Sequence, residues 1–239
     1  MRVAIIDNRM PNELTIALSS YADKILRLPP HPLLPSPVAS HPDMLLWICE
    51  RVVVTYADYL SVAKSVFDFL EELGYTVVTE KKSPGSTYPH DIALNCALVG
   101  NKIIANQKHM SEKIRDIARE KGLQTVAVKQ GYAKCSTVTV SDDAIITADP
   151  SIAEAAAAAG VYVLKICPDH VSLDGYNTGF LGGASGYTQT EVIFCGNLDD
   201  HPDVQAIKNF CSDHKKNAVS LGSTPLYDYG TVFFADKQD

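Results

Sequence analysis

The stretch Tyr88-Pro89-His90-Asp91-Ile92-Ala93-Leu94-Asn95-Cys96-Ala97-Leu98-Val99-Gly100-Asn101-Lys102-Ile103-Ile104-Ala105 opens the unit that decides the fold. A polar loop ends at Asp91, and residues 92–99 are apolar enough for a buried strand. Gly100-Asn101 turns the chain, and residues 102–105 start a second strand. Ser111 then caps a helix that carries Ile114, Ile117 and Ala118 on one face and stops at Gly122. Residues 125–128 return as a third strand. The unit reads loop, strand, turn, strand, helix, strand.

The same order recurs along the chain. The third unit has a strand at 136–140, a turn at Ser141-Asp142-Asp143, a strand at 144–147, a helix from Pro150 to Ala159 ended by Gly160, and a strand at 161–166. Proline in the first turn and glycine just past the end suit a helix. The first unit gives strands at 44–49 and 51–55, a helix at 61–73 stopped by Gly74, and a strand at 76–79. In the fourth, Gly-rich residues 180–186 replace the first strand, followed by a strand at 191–194, a helix at 202–211 and a strand at 218–221. The preceding loops place Asp43, Asp91, Cys135, Gly179 and Asp228 in one column, with steps of 48, 44, 44 and 49 residues. A nearly constant period of this size marks a ring or array whose equivalent loops converge.

The fifth unit is split. Residues 231–235 supply only a first strand, and residues 2–6, 13–20 and 24–28 supply the second strand, helix and third strand. Pairing the two terminal strands closes a ring and removes open sheet edges. We therefore expect one domain over residues 1–239, with units near 40–87, 88–131, 132–175, 176–224, and 225–239 joined with 1–39. Pro-rich residues 29–42 read as a surface loop between the fifth and first units, not as an interdomain linker.

Composition narrows the function. With 239 residues, 46% hydrophobic and 21% charged, the chain can bury a sizeable core. Its net charge of −7 and lack of a basic run disfavour nucleic acid as a partner. A neutral or cationic small molecule fits better. No apolar run approaches membrane-spanning length, and the N-terminus lacks a secretory core. Six cysteines sit mostly in apolar segments, as expected of reduced thiols in a cytoplasmic protein. Cys167/His170 and Cys211/His214 share a Cys-x-x-His spacing but fall at different phases of the repeat. Neither a metal site nor a cofactor is expected, and the sequence leaves the oligomeric state open.

Five strand-strand-helix-strand units closed through the termini resemble the pentein fold, the five-fold pseudo-symmetric α/β propeller of amidinotransferases, arginine deiminases, dimethylarginine hydrolases and inert ribosome anti-association factors. The resemblance covers essentially the whole chain as architecture. It implies a cysteine at the ring axis that attacks a guanidino carbon, a histidine that exchanges protons, and carboxylates that hold the guanidinium. Those residue types suit the chemistry: a thiolate is the nucleophile, and planar cations favour paired carboxylates.

Cys135, in Lys134-Cys135-Ser136-Thr137, stands in the loop column and resembles the position of such a nucleophile; its plainer reading is a small buried residue at a strand start. Lys134 beside it can lower its pKa. His90 and His41, next to column carboxylates, are candidate proton carriers, or solvated loop histidines. Asp43, Asp91 and Asp228 are candidate cation anchors, or turn-forming carboxylates. Around Asn177, the Gly-rich loop containing Gly182, Gly183 and Ser185 is a candidate ligand contact through backbone N–H groups, or a place where backbones pass closely. This chain lacks a Gly-rich stretch just before its candidate cysteine and a histidine in its own loop, both typical of the catalytic families. The expected function is thiol-dependent amidino transfer or hydrolysis on a small guanidino or amidine compound, the alternative a non-catalytic ligand-binding or protein-interaction role.

Overall fold

The structure is a computed structural model that describes residues 1–237. The chain begins with β1 (Arg2–Asp7), α1 (Asn12–Leu18) and β2 (Lys24–Leu28). Four units follow. The first is α2 (Pro42–Leu45), β3 (Leu46–Cys49), β4 (Val52–Tyr56), α3 (Lys64–Glu72) and β5 (Thr76–Glu80); the second is β6 (Ala97–Val99), β7 (Lys102–Ala105), α4 (Glu112–Glu120) and β8 (Gln124–Ala127). The third is β9 (Val138–Ser141), β10 (Ala144–Thr147), α5 (Pro150–Ala158) and β11 (Tyr162–Lys165); the fourth is β12 (Ser185–Tyr187), β13 (Glu191–Phe194), α6 (Val204–Asp213) and β14 (Asn217–Ser220). β15 (Phe233–Asp236) ends the described chain.

In every unit the first strand pairs antiparallel with the second across a tight turn, and the second pairs parallel with the third. The parallel pair requires a crossover, which the helix supplies. β15 runs antiparallel to β1, with Ile5 opposite Phe233 and Arg2 opposite Asp236, and β1 runs parallel to β2. The terminal strands therefore share the fifth sheet, as the split unit predicts. First strands face one another around the centre, β6 against β9, β9 against β12 and β12 against β15. Four of the crossover helices pack on the third strand of the preceding unit: α3 on β2, α4 on β5, α5 on β8, α6 on β11. That common offset is the geometry of a ring.

Local chemistry explains the helices. The Ser111 hydroxyl accepts from the N–H groups of Lys113 and Ile114, and Asp149 accepts from Ile152 N–H, so two of the helix starts are capped by their own sequence. Gly122 and Gly160 follow α4 and α5 at φ +66° and +79°. Ile114, Ile117 and Ala118 are buried, as the periodicity predicts.

Four first strands start later than the apolar pattern suggests, β15 among them, at Phe233 and not residue 231. Residues 42–45 wind into α2, so β3 begins at Leu46, not residue 44. β6 begins at Ala97, not residue 92, and β9 at Val138, not residue 136. Ser136 and Thr137 donate their N–H groups to Tyr132 and Lys134 carbonyls, a turn that aims polar side chains at the axis before the chain joins its sheet. Residues 29–42 pack onto the ring: the buried His31 stacks on Tyr59 at 5.4 Å, and the Tyr59 hydroxyl donates to the Pro29 carbonyl.

Candidate functional site

A cavity of about 120 Å³ opens where the loops preceding the first strands meet. His41, Cys135 and Asp228 line it, with Met44, Tyr132 and Phe180 among its apolar walls. It brings together residues from the first, third, fourth and fifth units, as a closed repeat requires.

His41 is seated from both sides. Its Nε2 lies 3.6 Å from Asp7 Oδ2 and its Nδ1 3.8 Å from Asp228 Oδ1, and the ring is 1% exposed. Asp7, at the end of β1, is itself fixed by Arg9 through two side-chain bonds of 3.1 and 2.7 Å. Burial, reinforced by the Arg9 charge, brings the His41 pKa down to about 3, so the imidazole is neutral. Gly230, at φ +69°, makes this seat possible, because a Cβ there would stand 2.2 Å from His41 Cβ.

Asp228 is buried with both oxygens engaged: Oδ2 accepts from Phe180 N–H and Oδ1 from Gly230 N–H, each at 2.9 Å. Burial and the neighbouring Asp43 carboxylate nevertheless push its pKa up to about 7. Asp43 is fully buried and raised by burial, with Lys134 and Thr231 working the other way. The Lys134 ammonium, likewise buried, donates to Thr137 O and Thr231 Oγ1, and Thr231 Oγ1 lies 2.8 Å from Asp43 Oδ2. Thr231 adopts φ +74°, a conformation a β-branched residue takes only under constraint from its surroundings. Here the constraint is the Lys134–Thr231–Asp43 contact.

Cys135 is 4% exposed. Asn95 holds the cysteine loop: its Oδ1 accepts from Lys134 and Cys135 N–H, and its Nδ2 donates to Cys135 Sγ at 3.0 Å and to Asp43 O. Burial, then Asp43 and Asp228, raise the thiol pKa well above its ordinary value, against the Asn95 amide. The resting cysteine is a thiol.

Not every predicted residue reaches this cluster. His90 is exposed and lines a separate depression with Lys81 and Glu112, so of the two candidate histidines only His41 faces the cavity. Asp91 stands behind Tyr132, whose hydroxyl donates to its Oδ2 at 2.8 Å. Asp43 and Cys135 precede their strands by three residues and Asp228 precedes β15 by five, whereas Asp91 precedes β6 by six. Asn177 is exposed, between Tyr176 and Thr178, which do line the cavity. Gly182 and Gly183 are buried, and their missing side chains admit neighbours: a Cβ on Gly182 would meet Cys135 O at 2.4 Å, and one on Gly183 would meet Asp228 Oδ1 at 2.0 Å. Gly183 N–H donates to Cys135 O and Ser185 Oγ to Gly182 O. These groups face the protein, so the stretch serves as packing around Asp228 and Cys135, not as an open anion cradle. Cys167 and His170 stand on the exposed rim of a larger cleft, and among the described residues no group of three or more His, Cys, Asp or Glu is placed to hold a metal.

Sequence reasoning missed Asp7, Asn95 and Thr231. Asp7 carried a signal, as a charged residue that ends an apolar strand of the split unit. Asn95 lay within an apolar run and Thr231 within a predicted strand, and neither looked different from its neighbours.

Residues 5–233 match the model of DUF6873, a family of unknown function. The chain belongs to DUF6873. No curated protein matches it significantly. Among solved structures it is similar to DDAH from Pseudomonas aeruginosa complexed with citrulline, at 10% identity and TM-score 0.58 over 93% of this chain and 91% of that one. SxtG, an amidinotransferase of saxitoxin biosynthesis from Microseira wollei, matches at 10% identity and TM-score 0.56 over 99% and 94%. Agmatine deiminase from C. jejuni matches at 8% identity and TM-score 0.56 over 92% and 87%. These likenesses establish the pentein fold for this DUF6873 member. Among the described residues no helix is long and apolar enough to cross a membrane.

Proposed function

We propose that this protein is a thiol-dependent amidino transferase or hydrolase that takes a small guanidino or amidine compound at the Cys135 cavity. One observation carries the reading: a buried thiol, a neutral imidazole and a buried carboxylate share one small cavity on the ring axis. Its volume of about 120 Å³ is well above the roughly 10–15 Å³ that a single water needs, which leaves room for a compact planar head group. The surrounding carboxylates oppose a thiolate in the empty cavity and favour a cation in it. A bound guanidinium reverses that balance, drawing Asp228 toward its ionised form and lowering the thiol pKa.

The chemistry then follows. The Cys135 sulfur attacks the amidino carbon and forms a C–S bond. The bond from that carbon to the leaving amine breaks with its electron pair on nitrogen, and the thiol proton passes through His41 to that nitrogen. Water or a second amine releases the amidino group. Asp7 orients His41, and Asp228 anchors the cation.

The test compares alkylation by 2-chloroacetamidine, a cation, with that by neutral 2-chloroacetamide, mapping modified cysteines by mass spectrometry. Cys135 is expected to react faster with the cation and to be protected by methylguanidine, while exposed Cys167 gains no such protection. Cys135 inert to both reagents overturns the enzyme reading. The alternative, ligand binding without chemistry, draws on the depth and protonation of the thiol; it predicts unchanged methylguanidine affinity in Cys135→Ser alongside an inert Cys135.

A further inference from the structure

Among the residues that line the Cys135 cavity, only Tyr132, Tyr176, Thr178 and Phe180 are not buried, so these four form its mouth. Three of them are rings. A further ring, Tyr88, extends the row outward: its centroid lies 5.7 Å from that of Tyr132, which in turn lies 6.2 Å from that of Phe180. Tyr88 is 52% and Tyr176 46% exposed, so the row reaches solvent with accessible faces.

Two of the rings are fixed relative to the reacting groups. The Tyr132 carbonyl accepts from Ser136 N–H, next to Cys135, and its hydroxyl donates to Asp91 Oδ2 at 2.8 Å. Phe180 N–H donates to Asp228 Oδ2 at 2.9 Å, so the carboxylate proposed to anchor the cation also sets where this ring stands. Gly131 makes room for Tyr88, because a Cβ there would lie 2.4 Å from its Cε2.

The mouth carries no charge. Asp228 and His41 line the cavity but are buried in its floor, and no Lys or Arg lines it. Of the cations beside the site, Arg9 is bound to Asp7, and the buried Lys134 to Thr137 and Thr231. Asp91 is shielded behind Tyr132. A substrate tail ending in a carboxylate would therefore meet no counter-charge among the residues that line the mouth, and removing it from water unpaired is costly. A flat apolar tail gains by covering the exposed rings.

We infer that the substrate of the Cys135 site is an arylalkylguanidine, whose uncharged ring seats against Tyr132, Tyr176 and Phe180 while its guanidinium enters the cavity. The inference rests on the amidino reading of that cavity.

The test measures how much of each of four guanidines protects Cys135 of the full-length protein by half from alkylation with 2-chloroacetamidine. Phenethylguanidine is expected to do so at a concentration about tenfold or more below that of methylguanidine. L-Arginine and agmatine, whose tails are charged, are expected to do no better than methylguanidine. Tyr176→Ala removes an exposed ring from a loop, should keep the wild-type melting temperature, and is expected to narrow the ratio of phenethylguanidine to methylguanidine about threefold or more. Protection by none of the four, methylguanidine included, overturns the amidino reading and this inference with it. Equal protection by phenethylguanidine and methylguanidine, stronger protection by arginine or agmatine, or an unchanged ratio in Tyr176→Ala overturns this inference alone.

Discussion

Replacing Gly230 by alanine separates backbone strain from steric displacement of His41, because the ring contains its own controls. Gly230, Gly122 and Gly160 have φ of +69°, +66° and +79°, so an added Cβ meets nearly the same backbone penalty at each, about 1–2 kcal/mol. At Gly122 and Gly160 nothing lies within 4 Å of that Cβ. At Gly230 it would stand 2.2, 2.3 and 2.5 Å from His41 Cβ, Cγ and Cα, against an ordinary carbon contact of about 3.5–4.0 Å. Two of those atoms move only with the His41 backbone, so the shortfall of more than 1 Å is met by shifting the loop. Overpacking of this kind adds about 1–3 kcal/mol. Gly230→Ala is thus expected to lose about 2–5 kcal/mol and each control about 1–2. With a urea slope of about 3 kcal/mol per molar, the midpoint falls by about 1 M against about 0.5 M. Equal midpoints for Gly230→Ala and Gly122→Ala would refute the placement of His41 under Gly230.

Three more outcomes follow from the site. The folded protein keeps a proton on Asp228 up to about pH 7, while the unfolded chain releases it near its ordinary value of 3.8, so this group's contribution is fully present below about pH 4 and is lost as pH rises through 7; the stability of wild type relative to Asp228→Asn should fall over that range by up to about 4 kcal/mol, and a gap independent of pH counts against the buried, protonated carboxylate. Asn95→Ala strands the N–H groups of Lys134 and Cys135, so a loss of about 2–4 kcal/mol by urea denaturation is expected, and a midpoint at the wild-type value contradicts the role of Asn95 as clamp. Truncation before Thr231 removes β15 and should abolish the cooperative melt of the whole ring; retention of a wild-type thermal transition would show that β1 does not need its partner.

The repeat was legible because its cause is local. Each helix must cross between parallel strands, and each such crossover leaves a cap, an apolar face and a glycine stop in the sequence, as Ser111, Ile114 and Gly122 do. The axial polar residues leave no such trace. Asp43 and Asp91 look equivalent by period, yet Asp43 is buried in the Lys134–Thr231 contact while Asp91 stands behind Tyr132. His41 and His90 both sit near column carboxylates, and what separates them is the pairing of His41 with Gly230, a contact across 189 positions of chain. The Gly-rich loop showed that side chains were unwelcome there; only the fold reveals that the crowding groups are Asp228 and Cys135, not a ligand. Asn95, which falls inside the apolar run read as a strand, belongs to no strand at all.

The joining of residues 2–7 with residues 233–236 places the site under kinetic control of the ring's last closure. Asp7 and Asp228 flank the same imidazole, yet they enter it from segments separated by more than two hundred positions. Bringing such distant segments together carries about 2 kcal/mol more loop entropy than closing a 20-residue hairpin, and during synthesis the later segment emerges only after four units can already have folded. Until then His41 has one carboxylate neighbour instead of two, and Gly230 and Thr231 are absent from its surroundings. A nascent or C-terminally nicked chain would therefore have an unfinished centre and no cooperatively folded ring around it, so any chemistry at Cys135 would be withheld until the ring is whole.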